Sequence, residues 1–299
     1  KVFCDKRAVT MLFLGFSAGL PILMIFSTLS LWLREAGVER SAVTYFSWAA
    51  LGYSFKFIWA PLVDRLPLPI LTKMFGRRRG WILLSQFMVI CSICLMALVD
   101  PAADTSALTY MAIGAVLLGF SSATQDIVVD AYRIESAEMD MQAILSATYI
   151  AGYRIGMLVS GAGALFIAAY FGTTKASYNY EAWKWTYLIM AGFMIIGIVT
   201  VLIRPEPEIK EKDYSHSTKD YAQFFFLFLL VVSCFIVIFF LSGPYAKDLS
   251  TSLNSILNNK ALSGLLVGTL KLAVAFGVTG LFTYSIGKFI YFFFFFIPK

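Results

Sequence analysis

Eight long apolar segments constrain this chain more than any other feature, because a helix needs roughly 20 apolar residues to cross a bilayer. Backbone groups inside hydrocarbon must form their hydrogen bonds internally, so these segments predict membrane-spanning helices and an all-α, polytopic membrane protein. A ninth segment, Phe289–Ile297, is too short to span and contains five consecutive phenylalanines. The eight segments run Ala8–Leu33, Ser41–Val63, Gly80–Val99, Ala107–Tyr132, Gln142–Phe171, Trp183–Ile203, Ala222–Ser242 and Ala261–Ile286.

Composition supports this class of protein. Hydrophobic residues make up 59% of the chain and charged residues 14%, whereas soluble domains have roughly 25% charged residues. The first apolar segment is too long for the core of a signal peptide and is not followed by a small-residue cleavage site. We therefore interpret it as the first span.

The basic residues of the loops predict the orientation. With the N-terminus placed in the cytoplasm, the cytoplasmic segments contain fourteen Lys and Arg residues and the opposite segments contain six. This asymmetry follows the positive-inside rule. The formal net charge of +6 is thus explained by topology, and we expect the lipid bilayer, not nucleic acid, as the surrounding partner.

The spacing of the segments divides the chain into four regions. Residues 1–204 predict a six-helix bundle, residues 205–221 a charged cytoplasmic linker, residues 222–288 an additional transmembrane hairpin, and residues 289–299 a truncated hydrophobic tail. Small residues predict where helices approach closely. Gly152 with Gly156, and Gly264 with Gly268, each form a GxxxG pattern that indicates tight packing, and Gly15, Gly19 and Pro21 predict a kinkable first helix. These three residues lie close together in the first apolar segment.

The segment GFSSATQDIVVDAY, residues 119–132, places two acids at the end of the fourth apolar segment. Asp126 and Asp130 lie four residues apart, on the same helix stripe as Ser122 and Arg133. Carboxylates are costly in hydrocarbon and need partners or water. We interpret Asp126 as the acid that can gain and lose a proton. A permanent ion pair with Arg154 is the alternative.

Asp130 is the second candidate for proton coupling. It lies closer to the cytoplasmic end of the helix. The alternative for Asp130 is a structural ion pair with Arg65 or with the cluster Arg77–Arg79 at the same face.

The loop after the second segment contains a charged pattern of its own, in the sequence VDRLPLPILTKMFGRRRG. Asp64 can cap a neighbouring helix, and the arginine cluster can pair with Asp130 and Glu135. Simple topology determination by the arginines is the alternative. This pattern resembles the signature loop of the major facilitator superfamily, with residues 66–75 inserted. Its members here are Asp64, Arg65, Gly76, Arg77, Arg78 and Arg79, which the resemblance implies form a cytoplasmic gate.

A wider resemblance covers about Gly15–Pro207. The blocks GFSAGLP, LWLREAGV, YSFKFIWAPLVDR, GRRRGWILL, ATQDIVVDAYR and GYRIGMLVSGAGAL are similar, in order and spacing, to the AmpG-type muropeptide permeases. The resemblance implies a bacterial inner-membrane symporter that imports anhydromuropeptides with protons for cell-wall recycling. It also implies two six-helix halves. Only the N-terminal half is matched, so a missing C-terminal half, or one encoded separately, is expected.

Four side chains are candidates for contact with such a substrate. Gln125 offers a neutral donor and acceptor for sugar hydroxyls or amides. Arg154 and Lys56 can contact a peptide carboxylate or can neutralise the acids. Tyr153, with Tyr149 and Trp48, can stack on a sugar ring or simply pack. Lys271, in the middle of the eighth segment, has no acidic partner in sequence.

Other functions remain open at this point. The chain contains one histidine, His216, and its C-x-x-C pair Cys91 and Cys94 lies inside an apolar segment, so we expect neither an enzyme nor a metal or cofactor site. A non-transporting membrane remnant or interaction protein would retain the half-bundle fold. The sequence around Gln125–Asp126 is also similar to acetyl-coenzyme A transporters, which makes that molecule, or another polar solute, an alternative substrate.

Overall fold

A computed structural model describes residues 5–39, 51–174, 177–207 and 218–296, together with Val43, Phe46 and Ala49. Within these residues the regular structure is helical, apart from one isolated bridge between Thr174 and Ser177. The chain divides into two compact units, Lys1–Asp213 and Tyr214–Lys299. The predicted all-α membrane fold is confirmed.

The first unit contains most of the long apolar helices. Helices of sufficient length and hydropathy to cross a membrane run Lys6–Glu35, Arg77–Ala97, Ser106–Glu135, Met139–Tyr170 and Tyr180–Ile203. The α-helices of this unit are α1 (Lys6–Leu23), α2 (Leu29–Glu35), α3 (Leu51–Phe55), α4 (Ala60–Arg65), α5 (Leu71–Phe75), α6 (Arg77–Ala97), α7 (Thr105–Glu135), α8 (Met139–Leu158), α9 (Ala164–Tyr170) and α10 (Tyr180–Ile203).

The second predicted span is broken within its described part. Helix α3 ends at Phe55, a 3-10 turn covers Lys56–Ile58, and α4 begins at Ala60. Pro61 lies in the first turn of α4, where its missing N–H and its ring prevent the preceding helix from continuing through it. The N-terminal part of this segment, including Trp48, lies largely outside the described residues.

Glycines bring α1 and α8 into backbone contact. A Cβ atom at Gly15 would lie 2.1 Å from the carbonyl oxygen of Tyr149, and one at Gly152 would lie 1.9 Å from that of Leu12. Gly156 is equally tight against Phe16. The predicted close packing at Gly152 and Gly156 is confirmed. Gly15 is also a close packing position, and the irregularity of the first helix lies further along, in the turn Met24–Thr28 that follows Pro21.

Helices α1 and α8 are each followed by a π-helical turn, and a hydrogen bond joins the two turns. After Pro21, α1 passes through a π-helical turn, Met24–Thr28, and α8 through another, Val159–Gly163. The Thr28 hydroxyl donates to the carbonyl oxygen of Ser160 at 2.8 Å. A side-chain hydroxyl from the irregular turn of one helix thus donates to a backbone carbonyl in the irregular turn of the other.

The larger core of the first unit is built around aromatic rings. Trp32 and Trp183 stack with centroids 5.8 Å apart and an interplanar angle of 7°, and Tyr187 packs against Trp32 at 4.7 Å. All three side chains are fully buried. This core fixes the ends of α2 and α10 together.

The second unit consists of α11 (Thr218–Leu241), α12 (Gly243–Leu257) and α13 (Lys260–Phe296). Helices α11 and α12 are bent by 43° at their junction. Helix α13 continues without a break from Lys260 through Phe296, so most of the predicted tail belongs to this helix. Among the described residues, a Cβ at Gly264 or Gly268 would meet no atom within 4 Å, so the tight packing predicted for these two glycines is not found there.

Lys271 has an aromatic partner that the sequence did not indicate. Its ammonium lies 3.8 Å from the ring centroid of Phe239. A cation–π contact of this kind partly compensates a lysine placed in the middle of an apolar helix.

Candidate functional site

Asp126 lies inside the helix bundle. Helix α7 begins at an Asp104 cap and ends at Glu135, so Asp126 is about 14 Å from its end at 1.5 Å per residue. The residue is 8% exposed. A carboxylate at this depth needs nearby groups that stabilise its charge or supply a proton.

Those groups are Lys56 and Tyr149. The Lys56 Nζ atom lies 3.9 Å from Asp126 Oδ2, and the Tyr149 hydroxyl donates to Oδ1 at 3.4 Å. Lys56 comes from the 3-10 turn in the broken second span. A Cβ at Gly119 would lie 2.2 Å from the Ala49 carbonyl oxygen. This close approach of the second segment to α7 lets Lys56 reach the acid.

Arg154 does not occupy the position considered for it in the sequence analysis. Its guanidinium Nη1 contacts the Met157 sulfur at 3.8 Å on an exposed surface of α8. In the described part of the chain no carboxylate oxygen lies within 4.0 Å of Arg154. A permanent Asp126–Arg154 ion pair is therefore absent there, and Lys56 provides the cation.

Aromatic and hydroxyl groups surround the acid. The Tyr53 hydroxyl donates to Ser122 at 2.8 Å, and the Trp59 indole N–H donates to Thr124 at 3.1 Å. Tyr153 is half-buried, with its ring centroid 6.0 Å from that of Tyr149. Neither Tyr53 nor Trp59 was predicted from the sequence as a neighbour of Asp126, although both lie in the segment that also supplies Lys56.

Asp130 lies in a more solvated position, with its side chain 48% exposed. Its carboxylate pairs with Arg133 at 3.3 Å, and Arg133 also donates to the Ser146 hydroxyl. The ion pair that the described residues show for Asp130 is thus a local contact on α7. Asp130 and Arg133 help to connect α7 with α8.

Gln125 is fully buried and faces away from any open surface. Its amide nitrogen donates to the Ser17 hydroxyl at 3.1 Å, and Gln86 donates to the same oxygen at 3.4 Å. In this arrangement the amide lies between α1, α6 and α7, and contact of Gln125 with a substrate stays a prediction. Among the described residues, the amide oxygens of Gln86 and Gln125 have no hydrogen-bond partner.

The arginine cluster forms a charged network at the face of the first unit that carries the start of α6, which we call the basic face. Arg78 is 4% exposed and makes two hydrogen bonds to the Glu135 carboxylate, while its Nη2 lies 2.6 Å from Asp64 Oδ1. Arg77 lies 3.6 Å from Glu135. The predicted pairing with Glu135 is confirmed, and Asp64 pairs with Arg78 instead of capping a helix.

Glu206 completes this network. Its carboxylate accepts the backbone N–H groups of Arg78 and Arg79 at 2.7 and 3.0 Å. Gly76, at φ +93°, provides the turn before α6, and a Cβ there would collide with the Glu206 side chain. Glu206 thus acts as the N-terminal cap of α6 from outside that helix, a role that its sequence position did not reveal.

Arg79 is bound differently from its neighbours. Its guanidinium donates to the carbonyl oxygens of Val201 and Leu202 at 2.9 and 3.0 Å, at the end of α10. A cation on the last carbonyls of a helix stabilises its C-terminus. Arg65 also lies at the basic face, at the end of α4.

A second polar cluster lies at the opposite ends of the helices. The Glu35 carboxylate accepts hydrogen bonds from the Trp183 indole at 2.9 Å and the Thr173 hydroxyl at 2.8 Å. The Tyr178 hydroxyl donates to Asp100 at 2.7 Å. Burial, followed by this bond to Asp100, raises the pKa of the Tyr178 phenol. The cluster was not predicted, since its members are far apart in sequence.

A family model and individual known proteins, compared with this chain, point to the same transporter family. The sequence pattern described as Major Facilitator Superfamily matches residues 9–297. The chain is 37% identical over 213 residues to "Putative transporter AmpG 4" of Rickettsia felis, covering 71% of this chain and 49% of that protein. It is 35% identical over 207 residues to "Anhydromuropeptide permease" of Escherichia coli K12, covering 69% of this chain and 39% of that protein. The chain therefore spans half or less of the length of these relatives.

Proposed function

The chain belongs to the major facilitator superfamily, and from that premise we propose that it carries out proton-coupled import of anhydromuropeptides across a bacterial inner membrane. Relatives named as a putative transporter AmpG and an anhydromuropeptide permease support the substrate class. The orientation proposed from the loop charges places the N-terminus and the basic face in the cytoplasm. The activity of a whole transporter is part of the proposal, because the chain spans only part of its relatives.

The observation that carries the proposal is the contact between Asp126 and Lys56. When the carboxylate is charged, the ammonium 3.9 Å away stabilises it. Protonation of Asp126 removes that attraction and leaves Lys56 free to move with its 3-10 turn. A proton can thereby change the position of one short, broken segment relative to α7, which is the coupling that a symporter requires.

The substrate contacts that we propose lie beside this pair. Arg154 is exposed on α8 and free of carboxylates among the described residues, so it can bind a carboxylate of a peptide. Tyr153 is half-buried next to it and offers a ring face to a sugar. Asp130 is sufficiently exposed to exchange protons with water, and we propose it as a relay to Asp126.

The basic face is proposed as the cytoplasmic gate. Arg78 links α4 to α7 through Asp64 and Glu135, and Glu206 links α6 to the chain that follows α10. Opening this face requires these charge-assisted bonds to separate. In the arrangement seen here these bonds hold α4, α6, α7 and the chain after α10 together.

The test is uptake of labelled anhydromuropeptide by cells that express the full chain, measured with and without a proton uncoupler. We expect uptake that the uncoupler abolishes and that Asp126→Asn reduces at least tenfold, while the matched exposed-acid control Glu181→Gln retains it. Excess unlabelled acetyl-coenzyme A should not compete. Absence of uptake at normal expression would instead favour a non-transporting interaction protein. Competition by acetyl-coenzyme A would overturn the substrate assignment.

A further inference from the structure

Two cavities lie side by side along α1 and α10. An open cleft of about 880 Å³ at the basic face is lined by the start of α1, the end of α7 and the residues after α10. A shallow groove of about 500 Å³ follows the outer surfaces of α1 and α10. Thr10 and Arg204 line both. The two cavities therefore form one continuous surface that passes from polar to apolar.

Two cations of the cleft lie outside ion-pair distance of the described carboxylates. Lys6 and Arg204 line it, and no carboxylate oxygen of the described residues lies within 4.0 Å of either side chain. Arg7 lies beside them and pairs with the partly exposed Asp5 at 3.4 Å.

The acids of the cleft are already engaged. Glu135 pairs with Arg77 and Arg78, and Glu206 accepts two backbone N–H groups. Glu138 also lines the cleft and has interactions of its own. The cleft is therefore suited to an added anionic group.

The groove is apolar along its length. Phe13 from α1 and Ile195 and Val199 from α10 line it with 43–53% of their surface exposed. Gly192 provides open space, because a Cβ there would meet no atom of the described residues within 4 Å. From Gly192 to Ile203 the groove extends about 17 Å at 1.5 Å per residue. That length accommodates an extended acyl chain.

We propose that this combined surface binds one anionic phospholipid, with its phosphate against Arg204 and Lys6 and an acyl chain in the groove. A soluble phosphate would use the cleft alone, and an uncharged lipid would use the groove alone. Only a phospholipid with a net negative headgroup satisfies both. Arg204, at the end of α10, is at the level where a phosphate would meet the apolar groove, and basic residues at a membrane surface attract such lipids.

The experiment is native mass spectrometry of the purified full chain with phosphatidylglycerol or phosphatidylcholine of identical acyl chains. We expect preferential retention of one phosphatidylglycerol. Each removed cation should weaken its binding about fivefold, since a Lys or Arg near an anionic surface contributes about that much. The double variant Lys6→Gln with Arg204→Gln should weaken it roughly 30-fold, whereas Lys184→Gln, which removes a partly exposed cation elsewhere that is paired with Glu181, should not. Lys6→Arg with Arg204→Lys should retain binding, which separates charge from folding.

The groove is tested independently. Gly192→Phe fills the open space and should reduce phosphatidylglycerol retention at least fivefold, whereas Gly264→Phe, another glycine with open surroundings, should leave it unchanged. Equal retention of the two lipids, or equal loss in Lys184→Gln and the double variant, would overturn the proposal. Loss by the charge variants without loss in Gly192→Phe would overturn the acyl-chain component. None of these measurements depends on transport.

Discussion

The Lys56 ammonium lies 3.9 Å from the Asp126 carboxylate, across the contact between a broken helix and the long helix α7. This pair joins a residue displaced by the Pro61 helix break to an acid that the surrounding helices bury. The contribution of this ion pair to the free energy of unfolding can be measured by substituting its two members.

Replacing Lys56 by Gln should destabilise the protein by about 1–2 kcal/mol, because a buried carboxylate loses its cation. The loss is smaller than that of a fully buried pair, since the Lys56 side chain is 38% exposed. Adding Asp126→Asn should restore most of the stability, whereas Arg154→Gln should change it by less than about 0.5 kcal/mol. Equilibrium unfolding in mixed micelles measures these differences. A larger loss for Arg154→Gln than for Lys56→Gln would contradict the assignment.

Arg78 should be sensitive even to a conservative change. Arg78→Lys keeps the charge but loses the paired geometry toward Glu135 and the contact with Asp64, so we expect a loss of about 2 kcal/mol. Arg7→Lys, in an exposed pair with Asp5, should cost no more than about 0.5 kcal/mol. Thermal unfolding of the two variants in the same detergent compares them directly. Equal midpoints would argue against a structural role for the Arg78 network.

Gly152→Ala should separate α1 from α8. The new methyl group would lie 1.9 Å from the Leu12 carbonyl oxygen, and backbone atoms cannot move away without shifting a whole helix. We expect a loss of about 2 kcal/mol or more. Gly268→Ala, where the space is open, is the matched control. The prediction fails if the two variants unfold together in a thermal-shift assay.

Removal of the Glu206 cap should loosen the start of α6. Glu206→Ala leaves the backbone N–H groups of Arg78 and Arg79 without their acceptor, at a cost of about 1 kcal/mol. Hydrogen exchange should then accelerate at the first turn of α6 and remain unchanged in its middle. Glu206→Gln retains one acceptor oxygen and should show a smaller effect. Uniform acceleration along α6 would indicate global destabilisation instead.

Asp104 should contribute a pH-dependent part of the stability. Its carboxylate accepts the N–H of Ala107 and the hydroxyl of Ser106, which hold the pKa of Asp104 below its usual value. Because the folded-state pKa is the lower one, this stabilisation is present above the unfolded value, about 3.9, and is lost as pH falls through the folded pKa. Asp104→Asn keeps an acceptor without the charge, so its midpoint should fall less than that of the wild type between pH 6 and pH 3. Parallel curves would contradict the prediction.

The sequence revealed the acids of the site more readily than their partners. Asp126, Asp130 and the arginine cluster are conspicuous because charge is rare in such helices. Their partners depend on how each helix is rotated about its axis, which residue spacing gives only within one helix. The sequence therefore left Lys56 and Arg154 as alternative cations for the acids, and only the structure selected Lys56 as the partner of Asp126. The burial of Gln125 against Ser17 could not be predicted.

The amino-acid sequence by itself determined the class of the protein, its long apolar helices and the depth of its charged residues, because a bilayer imposes a fixed thickness and a large cost on charge. Only the tertiary structure decided which residues meet. The glycines of α1 and α8 set one helix contact, the break at Pro61 placed Lys56 beside Asp126, and Glu206 returned to cap α6. Each of these depends on side-chain packing between distant segments, which hydropathy along the chain does not encode.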